Sequence, residues 1–248
     1  MTEFTLHIAA HTVAVRTFFE STRDYCRDYL SHCAPEMTLE ITREDLTRER
    51  EKSVRTDMAE GLPVRNLTDA QLEITALQRK LVQALFAWDT LVFHGSAVAV
   101  DGKVYLFTAK SGTGKSTHTR LWREVLGDRA VMVNDDKPFL RLTREEVLAC
   151  GSPWNGKHRL DTNLSLPLKA ICILERGEQN EIRRIPAEET LPMLLQQSSR
   201  PQDSRLLPKY LELIDGLARK VAFYRLRCNM EPAAAKLSFD TMSGEQIP

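Results

Sequence analysis

The chain has 248 residues, of which 42% are hydrophobic and 27% are charged, and its 34 basic side chains equal its 34 acidic ones. This length and composition are typical of a soluble globular protein with one large or two modest domains. The balanced charge excludes a global positive field that would recruit nucleic acid or an anionic membrane, so we expect neither as a partner.

The N-terminus and the cysteines bear on localisation. The first residues, MTEFTLHIAAHTVAVRTFF, lack the basic region and the small-residue cleavage site of a signal peptide. No run approaches the roughly 18 apolar residues that cross a bilayer. The five cysteines are scattered and form no C-x-x-C pair, as is typical of reduced thiols. We therefore expect a cytoplasmic protein.

The first 65 residues alternate short strand-like runs, Thr5–Thr17 and Met37–Ile41, with polar helical stretches. Arg43–Arg55 is a dense charge run, typical of a solvated helix or loop face. The composition breaks near Gly61–Pro63. We predict a small α+β region over residues 1–66, which would bind a substrate or partner, and a second domain over residues 67–248.

A helix is predicted next. Thr68–Gln71 fits a capping box, and Leu77, Leu81 and Leu85 recur at helical spacing through about Trp88.

A hairpin follows this helix. HGSAVAV at His94–Val100 and KVYLFT at Lys103–Thr108 flank Asp101-Gly102, a strong two-residue turn. In that register His94 faces Ala109, beside the loop that follows the second strand. Because this strand belongs to an antiparallel hairpin and not to a parallel crossover, we predict a mixed α/β sheet.

The remaining predicted elements alternate helices and strands. They are a helix over Ser116–Leu126, strands over Ala130–Val133, Phe139–Leu142, Val147–Cys150 and Ala170–Leu174, helices over about Ala187–Gln197 and Pro208–Lys220, and a strand over Val221–Cys228.

The loop after the hairpin reads TAKSGTGKST over Thr108–Thr117. A loop of small residues that ends in Gly-Lys-Ser, follows a strand and opens a helix can aim backbone N–H groups at phosphates. Lys115 would neutralise the β- and γ-phosphates, and Ser116 would bind Mg²⁺. The residues expected to bind the nucleotide are Ser111, Gly112, Thr113, Gly114, Lys115, Ser116 and Thr117.

Asp135 and Asp136 end a short apolar strand, where carboxylates can face a metal ion. Adjacent strand residues point to opposite sides, so the two can divide the work: one binds Mg²⁺ and the other takes a proton from an attacking hydroxyl. The alternative is a polar turn, because Asn-Asp-Asp is good turn chemistry.

Two further features lie near this chemistry. His94 can bind or polarise phosphates, or can be a hydrogen-bonded core histidine. GSPWNGK at Gly151–Lys157 can be a substrate loop with Lys157 and Arg159 as its cations, or an ordinary turn anchored by Trp154. His118 and Trp122, one helical turn apart, are better explained by packing.

The order HG, AKSGTGKS, DD and GSPWNGK over Leu91–Leu174 resembles the catalytic domain of bacterial HPr kinase/phosphorylase and of HPr-kinase-related proteins. The resemblance implies a phosphoenolpyruvate-carboxykinase-like P-loop fold with a mixed sheet, and a tendency to form homo-oligomers. It implies that His94 is the active-site histidine, that Asp135 transfers the proton and that Asp136 lies with Ser116 at the metal. Which of the two carboxylates is the base stays open, because coupled carboxylates share their titration.

The chain departs from that family at Ala109, where glycine is usual, and it has no clean equivalent of the family's Arg-Gly segment. Neither HPr as the acceptor nor phosphorolysis is therefore implied. We predict an ATP- and Mg²⁺-dependent kinase that phosphorylates a hydroxyl, a serine of a protein or peptide. The open alternatives are a small-molecule phosphotransferase, a non-catalytic, nucleotide-responsive binding module, and a chain with no nucleotide function.

Overall fold

The structure, a computed structural model, describes residues 1–246. Contacts divide the chain into two units, Met1–Ala84 and Leu85–Pro248. The helix that begins at Asp69 therefore packs with the N-terminal unit, although our boundary after residue 66 had assigned it to the second domain. That boundary stays a prediction. All five cysteines are free thiols.

The first unit combines a four-stranded sheet with three helices. Its strands are β1 (Thr2–Ile8), β2 (His11–Thr17), β3 (Leu30–Ser31) and β4 (Met37–Glu40). Its helices are α1 (Glu20–Tyr25), α2 (Arg43–Ala59) and α3 (Asp69–Leu85). The sheet order is β3-β1-β2-β4, and only the pairing of β2 with β4 is parallel.

The run Thr5–Thr17, predicted as one strand-like stretch, is a hairpin instead. Ala9 and Ala10 adopt positive φ angles of 50° and 63° and reverse the chain between β1 and β2. The sequence carries no glycine or asparagine there to mark the turn. This α+β arrangement agrees with the class predicted for the N-terminal region.

Buried carboxylates hold this unit together. Glu73 of α3 is fully buried and accepts hydrogen bonds from the backbone N–H groups of Phe18 (2.6 Å) and Phe19 (3.1 Å) and from the hydroxyl of Thr22 (2.6 Å). The charge run Arg43–Arg55 is helical, but it is not entirely solvated. Its buried Asp45 and Glu49 both form ion pairs with Arg79 of α3.

The capping box at the start of α3 is present. The hydroxyl of Thr68 accepts a 3.3 Å hydrogen bond from the N–H of Gln71, whose side-chain oxygen accepts one of 3.0 Å from the N–H of Thr68. The helix continues as a 3-10 turn over Phe86–Trp88. No helix in the part of the chain that the structure describes has the length and apolar content needed to cross a membrane.

The second unit is built on a nine-stranded sheet. Its strands are β5 (Thr90–Val92), β6 (Ser96–Val100), β7 (Lys103–Thr108), β8 (Ala130–Asn134), β9 (Phe139–Leu142), β10 (Val147–Cys150), β11 (Ser165–Arg176), β12 (Glu181–Ile185) and β13 (Ala222–Cys228). Its helices are α4 (Lys115–Leu126), α5 (Leu191–Gln197), α6 (Leu207–Lys220) and α7 (Pro232–Ser243).

The strand order is β5-β9-β10-β11-β7-β6-β8, with β13 also paired to β11 and β12 to β13. Strand β11 runs parallel to β7 and to β13, whereas the other pairings are antiparallel. The predicted α/β class with a mixed sheet is therefore confirmed. The carboxyl ends of β7, β11 and β13 meet at one edge of the sheet.

The predicted hairpin has the expected register at its turn, with Val98 opposite Tyr105. The pairing ends at Ser96, however, so His94 does not pair with Ala109. Its N–H instead donates a 2.7 Å hydrogen bond to the carbonyl of Gln197 at the end of α5. His94 is thus held by a residue about a hundred positions away, and not by hairpin register alone.

Helix α4 packs on the sheet through an aromatic cluster. The ring of Trp122 lies 5.0 Å from Tyr105, 5.1 Å from Phe107 and 5.4 Å from Phe239 of α7. Ser238 receives the indole N–H of Trp122 at 2.8 Å and lies 3.0 Å from His118 Nε2. The expectation that Trp122 and the buried His118 serve packing is confirmed.

Strands β3 and β5 were not predicted, and the helix predicted over about Ala187–Gln197 is a 3-10 turn, Ala187–Glu189, followed by α5. Three further elements differ from the prediction. Strand β11 is longer than the predicted run over 170–174, strand β12 was not predicted, and α7 was missed. The signal for α7 was present, because Pro232 occupies the first turn, where proline is favoured, and Gly244 follows the last residue.

Candidate active site

The loop from Ala109 to Gly114 connects β7 to α4, as predicted. Gly112 and Gly114 have φ angles of 76° and 122°, which a side chain would strain. Lys115 is the first residue of α4, and its ammonium lies 3.3 Å from the carbonyl oxygen of Ala109. The loop therefore folds back so that the carbonyl of Ala109 contacts the ammonium of Lys115. The first backbone N–H groups of α4 lie at the edge of a cavity.

This cavity, of about 480 Å³, contains most of the residues selected from the sequence. The predicted residues that line it are His94, Ser111, Gly112, Gly114, Lys115, Ser116, Thr117, Asp135, Asp136 and Lys157. Gly156 and His158 complete the lining. Residues from the hairpin, the phosphate-type loop, the end of β8 and the GSPWNGK segment thus converge.

Two of the selected residues lie elsewhere. Thr113 faces the neighbouring cavities, and its N–H donates a 3.2 Å hydrogen bond to the carbonyl of Lys110 within the loop. Arg159 lines a separate cleft with Arg123 and Asp128. The structure therefore does not bring Arg159 together with Lys157 as a second cation of the same cavity.

Asp135 is the buried member of the carboxylate pair, at 6% exposure. Its Oδ1 accepts a 2.6 Å hydrogen bond from Ser96 of β6, and it also hydrogen-bonds to the hydroxyl of Ser116. Burial raises the pKa of Asp135, while the hydrogen bonds from Ser96 and Ser116 act in the opposite direction. The hydroxyl of Ser116, at the start of α4, and the carboxylate of Asp135, just after β8, therefore lie side by side.

Asp136 faces a different partner. Its Oδ1 lies 3.5 Å from Nε2 of His94, and 32% of its side chain is exposed. Burial and the charge of Lys115 lower the pKa of His94, so its neutral form is favoured near pH 7. The side chain of Gln197 also hydrogen-bonds to His94.

The Asn-Asp-Asp segment is a turn, which confirms one of the two interpretations from the sequence and leaves the functional one a prediction. The side-chain oxygen of Asn134 accepts hydrogen bonds from the N–H groups of Asp136 (2.8 Å) and Lys137 (2.6 Å). Asn134 also donates to the carbonyl of Ser152 at 2.8 Å, which fixes the turn to the start of the GSPWNGK segment. Because of this turn, the side chains of Asp135 and Asp136 point in different directions.

The GSPWNGK segment approaches the pair from the other side. Trp154 is buried and stacks on Phe139, which anchors the segment as expected of a structural turn. Gly156 has a φ of 71°, and a Cβ there would lie 3.2 Å from the Cβ of Asp136. A glycine at this position therefore allows the segment to close against Asp136.

Sequence reasoning missed Ser96, Thr119, Gln197 and His158. Ser96 follows the HG pair directly, and its hydroxyl lies 2.8 Å from that of Thr119 in α4. Ser96 could have been found from the predicted pairing, since its side chain lies on a strand that the hairpin fixes. No local sequence pattern indicated that Gln197 would lie near His94.

The cavity suits a magnesium ion that is held largely by phosphates. Among residues 1–246 no group of three or more His, Cys, Asp or Glu side chains could hold a metal alone. Mg²⁺ at nucleotide sites typically takes one or two protein oxygens, with phosphates and water as its other ligands. The adjacent oxygens of Ser116 and Asp135 fit that requirement.

A strand, a glycine-rich loop ending in Gly-Lys-Ser and a helix, with carboxylates across a cavity, form the layout of P-loop proteins. Residues 63–233 match the family model described as "SynChlorMet cassette protein ScmC". The chain belongs to this ScmC family.

A similar solved structure is titled "Structure of the Hpr(Ser) kinase/phosphatase from Coxiella burnetii". It is 10% identical, with a TM-score of 0.36, over 62% of this chain and 93% of that one. No curated protein matches the chain.

Proposed function

We propose that the protein is an ATP- and Mg²⁺-dependent kinase that transfers the γ-phosphoryl group to a hydroxyl, a serine of a protein or peptide. One observation carries this proposal. Lys115 and Ser116, at the start of α4, share a cavity with His94 and the carboxylates of Asp135 and Asp136. These are the groups that phosphoryl transfer needs, because it depends on positioning and on charge stabilisation.

The loop supplies the phosphate site. The N-terminal N–H groups of α4 and the ammonium of Lys115 bind the β- and γ-phosphates. Burial lowers the pKa of Lys115, but the charges of Asp136 and Asp135 act in the opposite direction and favour the ammonium form. In moving to a phosphate, the ammonium exchanges its contact with the Ala109 carbonyl for a stronger, charge-assisted one.

Ser116 and Asp135 would hold the magnesium ion. When bound, Mg²⁺ would neutralise the negative charge of the phosphates. The hydrogen bond between Ser116 and Asp135 supports this pairing, because a P-loop hydroxyl and a strand carboxylate share the metal in many P-loop proteins. The hydrogen bond from Ser96 orients the carboxylate of Asp135.

Asp136 acts as the base, with His94 beside it. The hydroxyl oxygen of the acceptor attacks the γ-phosphorus, its proton passes to the carboxylate of Asp136, and ADP leaves. This assignment reverses the one that the resemblance implied, in which Asp135 was the base. The reason is access: both aspartates line the cavity, but Asp135 is buried against Ser96 and Ser116, whereas 32% of the Asp136 side chain is exposed.

An acceptor enters from the side of Lys157, which lines the cavity beyond Asp136. Its ammonium can contact either the transferred phosphate or an acidic group near the acceptor serine.

The free thiols are consistent with a cytoplasmic protein.

The test is transfer from γ-labelled ATP, with Mg²⁺, into a desalted host extract, with and without added small metabolites. Asp136→Asn and Asp135→Asn are compared with the wild type, and Asp128→Asn, at an exposed aspartate of the same unit, is the control. We expect label in a protein or peptide. Asp136→Asn should abolish it at every Mg²⁺ concentration, whereas Asp135→Asn should shift the Mg²⁺ dependence upward.

Other outcomes decide against parts of the proposal. Label in a small metabolite would favour a small-molecule phosphotransferase. Clear binding of Mg·ATP without transfer to any acceptor would favour a nucleotide-responsive binding module. Full transfer by Asp136→Asn would exclude Asp136 as the base.

A further inference from the structure

A second cavity lies beside the phosphate-type loop. It has a volume of about 570 Å³ and shares Gly112, Gly114 and Thr117 with the cavity described above. Its position at the carboxyl ends of β7, β11 and β13 is where α/β sheets usually bind ligands. It is therefore continuous with the candidate phosphate site but distinct from the acceptor side.

Most of the surface that this cavity exposes is apolar, although Glu175, Arg176 and Glu178 also line it. Leu121 of α4 and Leu174 of β11 form its buried wall, and Cys228 ends the neighbouring strand β13. Met230 lies at the mouth with 76% of its surface exposed. An apolar cleft with a methionine at its mouth suits a flat aromatic ring, because thioether sulfur makes favourable contacts with aromatic groups.

A few polar groups lie at the rim. The side chain of Asn229 donates a 3.3 Å hydrogen bond to the carbonyl of Glu178, which ties the segment after β13 to the turn after β11. Arg176 donates a hydrogen bond to the carbonyl of Gly112. The cavity wall is thereby attached to the loop that would carry the phosphates.

A third cavity, which shares Thr113, Leu174, Glu175 and Arg176 with the second, is a poorer match for an aromatic base. Both cavities are lined by Glu175 and Arg176, but this one is also lined by Lys110, Arg225 and Glu189. Burying an uncharged ring against these groups would desolvate them without new partners.

We infer that the cavity between α4 and the ends of β11 and β13 binds the nucleoside of a purine nucleoside triphosphate, with the base between Leu174 and Met230. This inference rests on the proposed function, because it assumes that the neighbouring loop binds the triphosphate.

The test compares the binding of ATP and of inorganic tripolyphosphate, each with Mg²⁺, by calorimetry. Tripolyphosphate has the phosphates but no nucleoside, so the difference in affinity reports on the nucleoside, and the variants test whether this cavity binds it. Met230→Ala and Cys228→Trp are the variants, and Met58→Ala, at another exposed methionine, is the control. Met230 is exposed, so its truncation leaves no internal void.

We expect the wild type to bind ATP more tightly than tripolyphosphate. Met230→Ala should weaken ATP binding about 2- to 10-fold and leave tripolyphosphate unchanged. Cys228→Trp should fill the cavity and remove the advantage of ATP. If Cys228→Trp still binds tripolyphosphate, the variant is folded. If Cys228→Trp is not folded, the result for Met230→Ala alone decides whether the nucleoside lies in this cavity.

The failures are distinguishable. If both ligands bind but neither variant changes the preference for ATP, the nucleoside does not lie in this cavity, and the proposed kinase function is untouched. If the wild type binds neither ligand, the proposed function fails and this inference fails with it.

Discussion

Ser96, the first residue of β6, donates a 2.6 Å hydrogen bond to the buried carboxylate of Asp135, which directly follows the neighbouring strand β8. The same hydroxyl lies 2.8 Å from that of Thr119 in α4. One small residue therefore connects the sheet, the helix after the loop and the candidate metal-binding carboxylate.

Ser96→Ala should destabilise the second unit. The substitution removes a donor from a buried carboxylate, and such a loss costs roughly 1.5–3 kcal/mol. Urea unfolding followed by tryptophan fluorescence measures it, because all three tryptophans lie in this unit. Ser204→Ala, at an exposed serine, should change stability little. Equal stabilities for the two variants would show that the hydrogen bond contributes nothing to the fold.

Gly156→Ala should impair phosphoryl transfer beyond its effect on stability. The new Cβ would lie 3.2 Å from the Cβ of Asp136, so the carboxylate must move. Gly102→Ala is a matched control, since Gly102 has a similar φ of 77° but nothing within 4 Å of the added atom. Both variants should lose stability through backbone strain, by about 1 kcal/mol. Only Gly156→Ala should lower the transfer rate, and equal rates would argue against close positioning of Asp136.

The stability of the second unit should fall between pH 6.5 and about 4 because of His118. Burial lowers the pKa of this histidine from 6.5 to about 4. Between these values the unfolded chain binds a proton that the folded chain does not, so stability decreases as the pH falls. The slope from this group is at most about 1.4 kcal/mol per pH unit.

His118→Gln should flatten that part of the pH dependence, although it removes packing against Phe107. Unfolding midpoints in urea at pH 7.5 and pH 5 provide the comparison, with His32→Gln at an exposed position as the control. An unchanged difference between the two midpoints in His118→Gln would mean that other groups cause the acid sensitivity.

The parts of the fold that local chemistry determines could be predicted from the sequence. The Asp101-Gly102 turn gave the register of β6 and β7, because a two-residue loop leaves few pairings. The loop from Ala109 to Ser116 and the helix after it follow from glycines and a Gly-Lys-Ser ending. The hairpin from Phe139 to Cys150 was also predicted with its observed ends.

Contacts between distant segments could not be predicted. Gln197 reaches His94 from the end of α5, and β11 pairs with both β7 and β13 across long connections. No local pattern specifies these contacts, because they depend on how the whole sheet is ordered. The different surroundings of Asp135 and Asp136 have the same origin, since they depend on Ser96 and His94 and not on the two residues themselves.

The binding of Mg·ATP to wild type, Lys115→Ala and Lys110→Ala tests the candidate site without knowledge of the acceptor. Lys110 is an exposed lysine of the same loop and does not line the cavity that contains Lys115. A ligand at 100 times its Kd stabilises the folded state by about 2.7 kcal/mol, which a melting curve detects readily. We expect Mg·ATP to raise the Tm of the wild type and of Lys110→Ala, but not that of Lys115→Ala. No rise in any of the three proteins, or an equal rise in all three, would show that this loop is not a phosphate-binding site.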